Sequence, residues 1–267
     1  MVDLLERIGP YLGVAAFMGL AILAFLIIQQ AREVRRLREW AGRAPERAGE
    51  AAEAAAAEIR AETGSDVHAR AADVTRAEDL ESLVADTNSA LGPIDVLVAN
   101  SGPPPAGRLD ELSDDDWLAG FELVALPVIR LIRLVVPSMR ERGWGRVISI
   151  QSTSVKQPIP HLVLSNGIRP GVQGALKSLA DAAARDGVTV NSVLPGVHLT
   201  DRLLGDLDEA DGSVEEQLAV IASRNPSGRI GDPEELGAVV AFLASERASF
   251  VNGVALQVDG GSVRSLA

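Results

Sequence analysis

The chain has no cysteine, so disulfides, thiolate nucleophiles and zinc–thiolate sites are excluded outright. Aromatic residues make up only 3% of its 267 residues, while 47% are hydrophobic. A sizeable core is therefore available, but it must be aliphatic, built from Val, Leu, Ile and Ala. There is one tyrosine, Tyr11, and there are two lysines, Lys156 and Lys177, beside 23 arginines. Basic groups are the minority: 25 Lys and Arg against 37 Asp and Glu leave a formal net charge of −12. Such a surface repels a phosphate backbone and argues against a nucleic-acid partner. His68, His161 and His198 have no metal-ligand spacing, so no metal site is expected. A Gly-x-Ser-x-Gly nucleophile elbow is also lacking, which argues against Ser152 or Ser165 acting with His161 in a hydrolase.

Charge is absent from one long stretch. From Ile8 to Ala31 there are 24 consecutive uncharged residues. As a helix rising ~1.5 Å per residue, this run spans about 36 Å, enough for a ~30 Å hydrocarbon core. Tyr11 sits near one end, and Arg32, Arg35, Arg36 and Arg38 follow the other. A cleaved signal peptide would need a basic start and small residues at its end. The start instead carries Asp3 and Glu6 with Arg7, and the run ends in Gln29-Gln30-Ala31. Residues 1–31 thus read as a single-pass membrane anchor. The basic flank places the rest of the chain in the cytoplasm. Residues 32–49 read as a juxtamembrane helical linker interrupted near Pro45. Val34, Leu37 and Trp40 share a stripe on it, too short for a sustained coiled coil.

Residues 50–267 form the third segment. An Ala/Glu-rich helix is expected up to Gly64, then a short strand over Val67–Val74 and a helix over Glu78–Leu91. Asp95–Asn100 (DVLVAN) reads as a strand buried on both faces. One long helix follows, its apolar residues running at helical period from Trp117 to Val136. Arg146–Ser152 is the next strand, Leu162–Arg185 a helix, Val188–Leu194 a strand and Val254–Val258 the last strand. Continuously apolar strands alternating with amphipathic helices predict an α/β fold with a parallel sheet covered on both faces.

In such a sheet, ligands bind at the carboxyl ends of the strands. Asn100-Ser101-Gly102 follows the DVLVAN strand, Ser152 ends the next, and Pro195-Gly196 follows VTVNSVL with Thr200 beyond. Each alone is compatible with ordinary turn chemistry. Lys156 reads as a solvated loop lysine.

Together and in this order, these residues resemble the short-chain dehydrogenase/reductase family from about Glu53 to Gly261. The likeness is strongest over Asn191-Ser-Val-Leu-Pro-Gly-Val-His-Leu-Thr200 and from Arg229-Ile-Gly-Asp-Pro-Glu-Glu-Leu236 to Val258-Asp-Gly-Gly261. The resemblance implies a Rossmann-like doubly wound sheet and hydride transfer between NAD or NADP and a small alcohol or carbonyl compound. It implies cofactor contacts at Asp73, Asn100, Gly102, Pro195, Gly196 and Thr200. It places Ser152 on the carbonyl oxygen, and it suggests a homo-oligomer formed through the long helices. Where the family has Tyr-x-x-x-Lys, thirteen residues after the serine, this chain has Ser165 and Arg169. These two share a helical face at i, i+4. A serine hydroxyl is a far weaker acid than a phenol, and an arginine is a fixed cation. The family's relay asparagine aligns with Val124. Ser154-Val-Lys-Gln-Pro-Ile-Pro160 and Leu164-Ser-Asn166 resemble an atypical branch of the 3-oxoacyl-acyl-carrier-protein reductase type.

The family opens with a strand, a glycine-rich turn and a helix. Before Asp95 the glycines are Gly9, Gly13, Gly19, Gly42, Gly49, Gly64 and Gly92, none in that pattern. The fold expected is thus a Rossmann-like sheet truncated at its N-terminal strands and preceded by one transmembrane helix. In the family's strand order, 3-2-1-4-5-6-7, the missing strands are central. Either Val67–Val74 slides in beside DVLVAN or that strand keeps an open edge. Two functional readings follow. One is a membrane-anchored reductase of a 3-oxoacyl-type carbonyl. The other is a catalytically inactive relative, or fusion remnant, acting as an interaction module. The second is favoured by the chemistry of the missing turn.

Overall fold

The computed structural model describes residues 49–208 and 213–266. The chain divides into two compact units, the first ending at Ala71 and the second beginning at Ala72. The transmembrane reading of residues 8–31 lies outside the described residues. Among those described, no helix is long and apolar enough to cross a membrane.

In the first unit a helix, α1, covers 49–63. Past it, the Arg60 guanidinium donates to the Val67 carbonyl (Nη2, 2.8 Å) and to Glu53 Oε1 (2.8 Å). The strand expected over Val67–Val74 does not form; the backbone there is irregular and ends in a turn at Val74-Thr75. Of its eight residues only the two terminal valines are strong strand formers, and a strand without a partner has no ladder to stabilise it. Asp73 instead closes an Asx turn, accepting from Thr75 N (2.9 Å) and Oγ1 (2.7 Å).

The second unit opens with α2 (Ala77–Leu91), which buries Leu80 and Val84. Then come β1 (Val96–Ala99), α3 (Asp114–Val124), α4 (Leu126–Arg142) and β2 (Gly145–Ile150). They are followed by α5 (Val163–Ala183), β3 (Val188–Pro195), α6 (Asp201–Asp208) and α7 (Val214–Arg224). Last are α8 (Pro233–Ala244) and β4 (Ala255–Val258). The single long helix expected around Trp117–Val136 is two helices, α3 and α4, meeting at Ala125. Pro127 is the reason: it has no N–H to give the preceding turn, so it starts a helix better than it continues one. A capping box, with Asp116 N donating to Ser113 Oγ and Ser113 N to Asp116, starts α3.

The described strands form one parallel sheet in the order β1-β2-β3-β4. Among the described residues, α4 and α5 cover one face, and α8 covers β2, β3 and β4 on the other. On the first, Leu97, Ala99, Val147, Val188 and Val190 pack with Val128, Val135 and Met139 of α4 and with Ile168, Val172 and Leu176 of α5. On the other, Ile148 and Val193 pack with Leu243 of α8. Two asparagines lock the far side of this sheet. Asn252 accepts from Val190 N (2.8 Å) and donates to Ala180 O (3.0 Å), and Asn191 donates to Val251 O (2.8 Å) while accepting from Val254 N (3.2 Å). Gly187 enters β3 at φ +73°, where an added Cβ would collide with the Gly143 carbonyl.

β1 is an edge strand among the described residues. Arg146 N donates to Asp95 O, so the backbone groups of Asp95, Leu97 and Ala99 turn toward β2. Those of Val96 and Val98 face outward, and their side chains are 36% and 45% exposed. Among the described residues, β1 thus keeps an open edge.

Candidate functional site

The loops leaving β1, β2 and β3, together with the first turns of α5, enclose a cleft of about 450 Å³ at the carboxyl ends of the strands. That volume lies in the range of small-molecule sites. Seven of the nine residues singled out in the sequence line it: Asn100, Ser152, Ser165, Arg169, Pro195, Gly196 and Thr200. Asp73 and Gly102 are not among its lining residues. Asp73 is exposed, and its hydrogen bonds with Thr75 hold its carboxyl below the usual carboxylate range. Gly102 is exposed, with Leu123 the nearest group on its Cβ side.

Local hydrogen bonding sets each wall. Ser152 leaves β2 in an extended conformation, and its Oγ accepts from Ser154 N (3.1 Å), starting the 3-10 turn Thr153–Val155. That turn brings the Ser154 hydroxyl to 2.9 Å from the Ser165 hydroxyl, both buried. Asn166, next along α5, grips the loop from below, accepting from Ile159 N and donating to Ile159 O. His161 sits at φ +61° in this loop, and its carbonyl accepts from Gly107 N (2.7 Å), tying the loop after β1 to the start of α5. A non-glycine residue in the left-handed region is a strained position held by its surroundings. Below β3, Gly196 passes so close to Asp259 that a Cβ would lie 2.8 Å from its Cα. Thr200 caps α6 by accepting from Leu203 N (3.2 Å).

Arg169 dominates the electrostatics. It lies one helical turn beyond Ser165, is 6% exposed, and lines the cleft. Helix α5 runs unbroken through Pro170, so the two residues share a face as their spacing predicts. No hydrogen-bond partner reaches Arg169 Nε or Nη1. Burial alone pulls its pKa down to about 10. Ser154 was not singled out in the sequence; its signal was the hydroxyl run Ser152-Thr153-Ser154, which only the 3-10 turn folds onto Ser165. His198, Arg202 and Asp206 also line the cleft, the last two as an exposed ion pair at 3.6 Å. Among the described residues, no group of three or more His, Asp or Glu side chains is placed to hold a metal ion.

Comparison with known proteins decides the lineage. The family model described as enoyl-(acyl carrier protein) reductase matches residues 45–263. A putative ketoacyl reductase of Streptomyces coelicolor is 37% identical over 208 residues, covering 75% of this chain and 79% of the relative. The chain belongs to the short-chain dehydrogenase/reductase family. L-Sorbose reductase from Gluconobacter frateurii, solved with NADPH and L-sorbose, superposes with a TM-score of 0.76 at 31% identity, covering 80% of this chain and 84% of that one. An NADPH-bound short chain oxidoreductase from Pseudomonas aeruginosa PAO1, described as containing an atypical catalytic center, gives 0.73 at 28% identity, covering 81% and 84%. In this short-chain dehydrogenase/reductase domain, Ser152, Ser165 and Arg169 all line the cleft.

Proposed function

We propose that the chain is an NAD(P)H-linked carbonyl reductase of the atypical, ketoacyl-reductase-like branch, without the family's N-terminal glycine-rich turn and with Ser165 and Arg169 in place of tyrosine and lysine. The observation that carries this reading is the convergence of Asn100, Ser152, Ser165, Arg169, Pro195-Gly196 and Thr200 on one cleft at the strand ends. The NADPH-bound relative described as containing an atypical catalytic center supports it.

The residues present fit the nicotinamide end of the dinucleotide. The orphaned donors of Arg169 suit ribose or substrate oxygens, and Thr200 and Asn100 suit the carboxamide and the ribose side. When bound, the cofactor supplies the hydride. The chain supplies the rest. Ser152 Oγ donates to the carbonyl oxygen and orients it. Ser165 Oγ, sharing a hydrogen bond with Ser154, delivers the proton to that oxygen. Arg169 stabilises the negative charge that gathers there, in a cleft where few other charges compete. Because a serine is a weak acid, turnover should be slower than with a phenol, by about the 10²–10⁴ that general acid catalysis is worth.

Attachment to the membrane through residues 8–31, with the domain on the cytoplasmic side, belongs to the same reading; the uncharged run and the arginines after it support it. So does self-association through α4 and α5. The test is to titrate the full chain with NADPH and with NADH, following nicotinamide fluorescence, and then to add ketones of both kinds, acetoacetate and acetoacetyl-CoA, turnover of either one counting. Micromolar binding with turnover is expected. Absence of binding overturns the proposal. Binding without turnover would leave the inactive-module reading in its place.

A further inference from the structure

Among the described residues, Arg169 is a buried cation without a counter-ion. Its Nε and Nη1 have no hydrogen-bond partner, and the neighbouring Ser165 hydroxyl is engaged with Ser154. Among the described residues lining the cleft, the one carboxylate, Asp206, pairs with Arg202. A charge in this situation costs several kcal/mol and is repaid only when an anion arrives. The chain as a whole is strongly acidic, so nothing global draws anions here; the attraction is local to this one guanidinium. A guanidinium is planar and matches a two-oxygen anion with two parallel hydrogen bonds. The same cleft offers the hydroxyl of Ser152 for a carbonyl and the apolar surfaces of Leu162, Leu203 and Leu236 for a short aliphatic tail.

We infer that the substrate is a free oxo acid whose carboxylate is held by Arg169, not a neutral ester or thioester. The inference rests on the reductase reading above and names its substrate class. Arg169 then selects the substrate by charge, in addition to whatever it contributes at the reacting oxygen.

The experiment compares acetoacetate with methyl acetoacetate, which has the same ketone and no charge. Full-length wild type, R169K and R169Q are each followed by NADPH oxidation and by thermal unfolding with acetoacetate alone. Wild type is expected to prefer the acid over the ester by at least about 100-fold in kcat/KM, most of it in KM, as for a desolvated charge pair. R169Q should lose that preference and R169K regain part of it. Acetoacetate should raise the unfolding temperature of wild type and not of R169Q. Equal use of acid and ester by wild type overturns the inference while the reductase reading stands. No oxidation of NADPH with either compound, while acetoacetate still protects wild type and not R169Q, sinks the reductase reading and leaves the carboxylate site. If R169Q loses affinity for NADPH and is protected by acetoacetate as well as wild type is, the guanidinium serves a cofactor phosphate and the inference fails.

Discussion

Replacing Arg169 by methionine should make the protein more stable. Burial holds the guanidinium pKa at about 10, well below the ordinary arginine value. At ~1.36 kcal/mol per unit, that difference is about 3 kcal/mol working against the folded, charged form. The folded pKa lies below the unfolded one, so the penalty is complete at every pH below about 10 and fades as pH rises above that toward the ordinary arginine value. Methionine keeps most of the side-chain volume and needs no partner, so the loss of packing should be under about 1 kcal/mol. A net gain of about 2 kcal/mol remains. At roughly 2–4 °C per kcal/mol for a domain of this size, Tm at pH 7 should rise by about 4–8 °C. Calorimetry of the full-length chain and R169M at pH 7 checks it. A second pair of scans near pH 10.5 should show the gap narrowing. An unchanged or lowered Tm in R169M at pH 7 would refute the claim that this cation stands unpaired, and the substrate argument built on it would fall too.

Four further outcomes are expected. Ser165→Ala strands the buried Ser154 hydroxyl and should lower unfolding free energy by about 1–2 kcal/mol in urea, while NADPH oxidation falls far more than KM changes. Gly187→Ala combines a positive φ with collision against the Gly143 carbonyl and should cost at least about 2 kcal/mol, read from the urea midpoint. The Arg229 fork and the Asp232 amide hold the Glu235 carboxyl down to about 2. The stability it contributes is present above the ordinary carboxylate pKa and lost as pH falls toward 2, so Glu235→Gln should flatten the acid limb of a stability–pH curve. Val98→Lys, on the outward face of β1, should leave stability within about 0.5 kcal/mol and reduce light scattering in concentrated solution; a large loss of stability would mean that this edge is covered.

Regular elements with unbroken periodicity were legible in the sequence. β1, β2 and β3 lie within two residues of their expected bounds; β2 and β3 are the buried, continuously apolar strands expected, but β1, expected to be buried on both faces, exposes Val96 and Val98. The break between α3 and α4 was written in Pro127, but the apolar stripe runs through it and hides it. Val67–Val74 reads as a strand only if a neighbour is assumed; hydrogen bonding to Arg60 and the Asx turn at Asp73 won instead. Seven site residues could be placed because they end strands or share a helix face. Asp73 and Gly102 rested on family resemblance and lie off the cleft lining. The isolation of Arg169 was not legible at all. It depends on which side chains fail to reach it, and no spacing in a sequence encodes an absent partner.

The strand order β1-β2-β3-β4 has a kinetic consequence. In most doubly wound sheets the order reverses once, and the ligand lies in the crevice opened between two strands that wind in opposite directions. Among the strands described here the order never reverses. Among the described residues no strand stands beyond β1, so on that side the cleft is walled by the loop that follows it, Asn100 to Pro104, and a ligand seated there meets a single layer of chain. It should enter quickly and leave quickly, with residence time governed by the Ser152, Ser165 and Arg169 end of the cleft and little by enclosure.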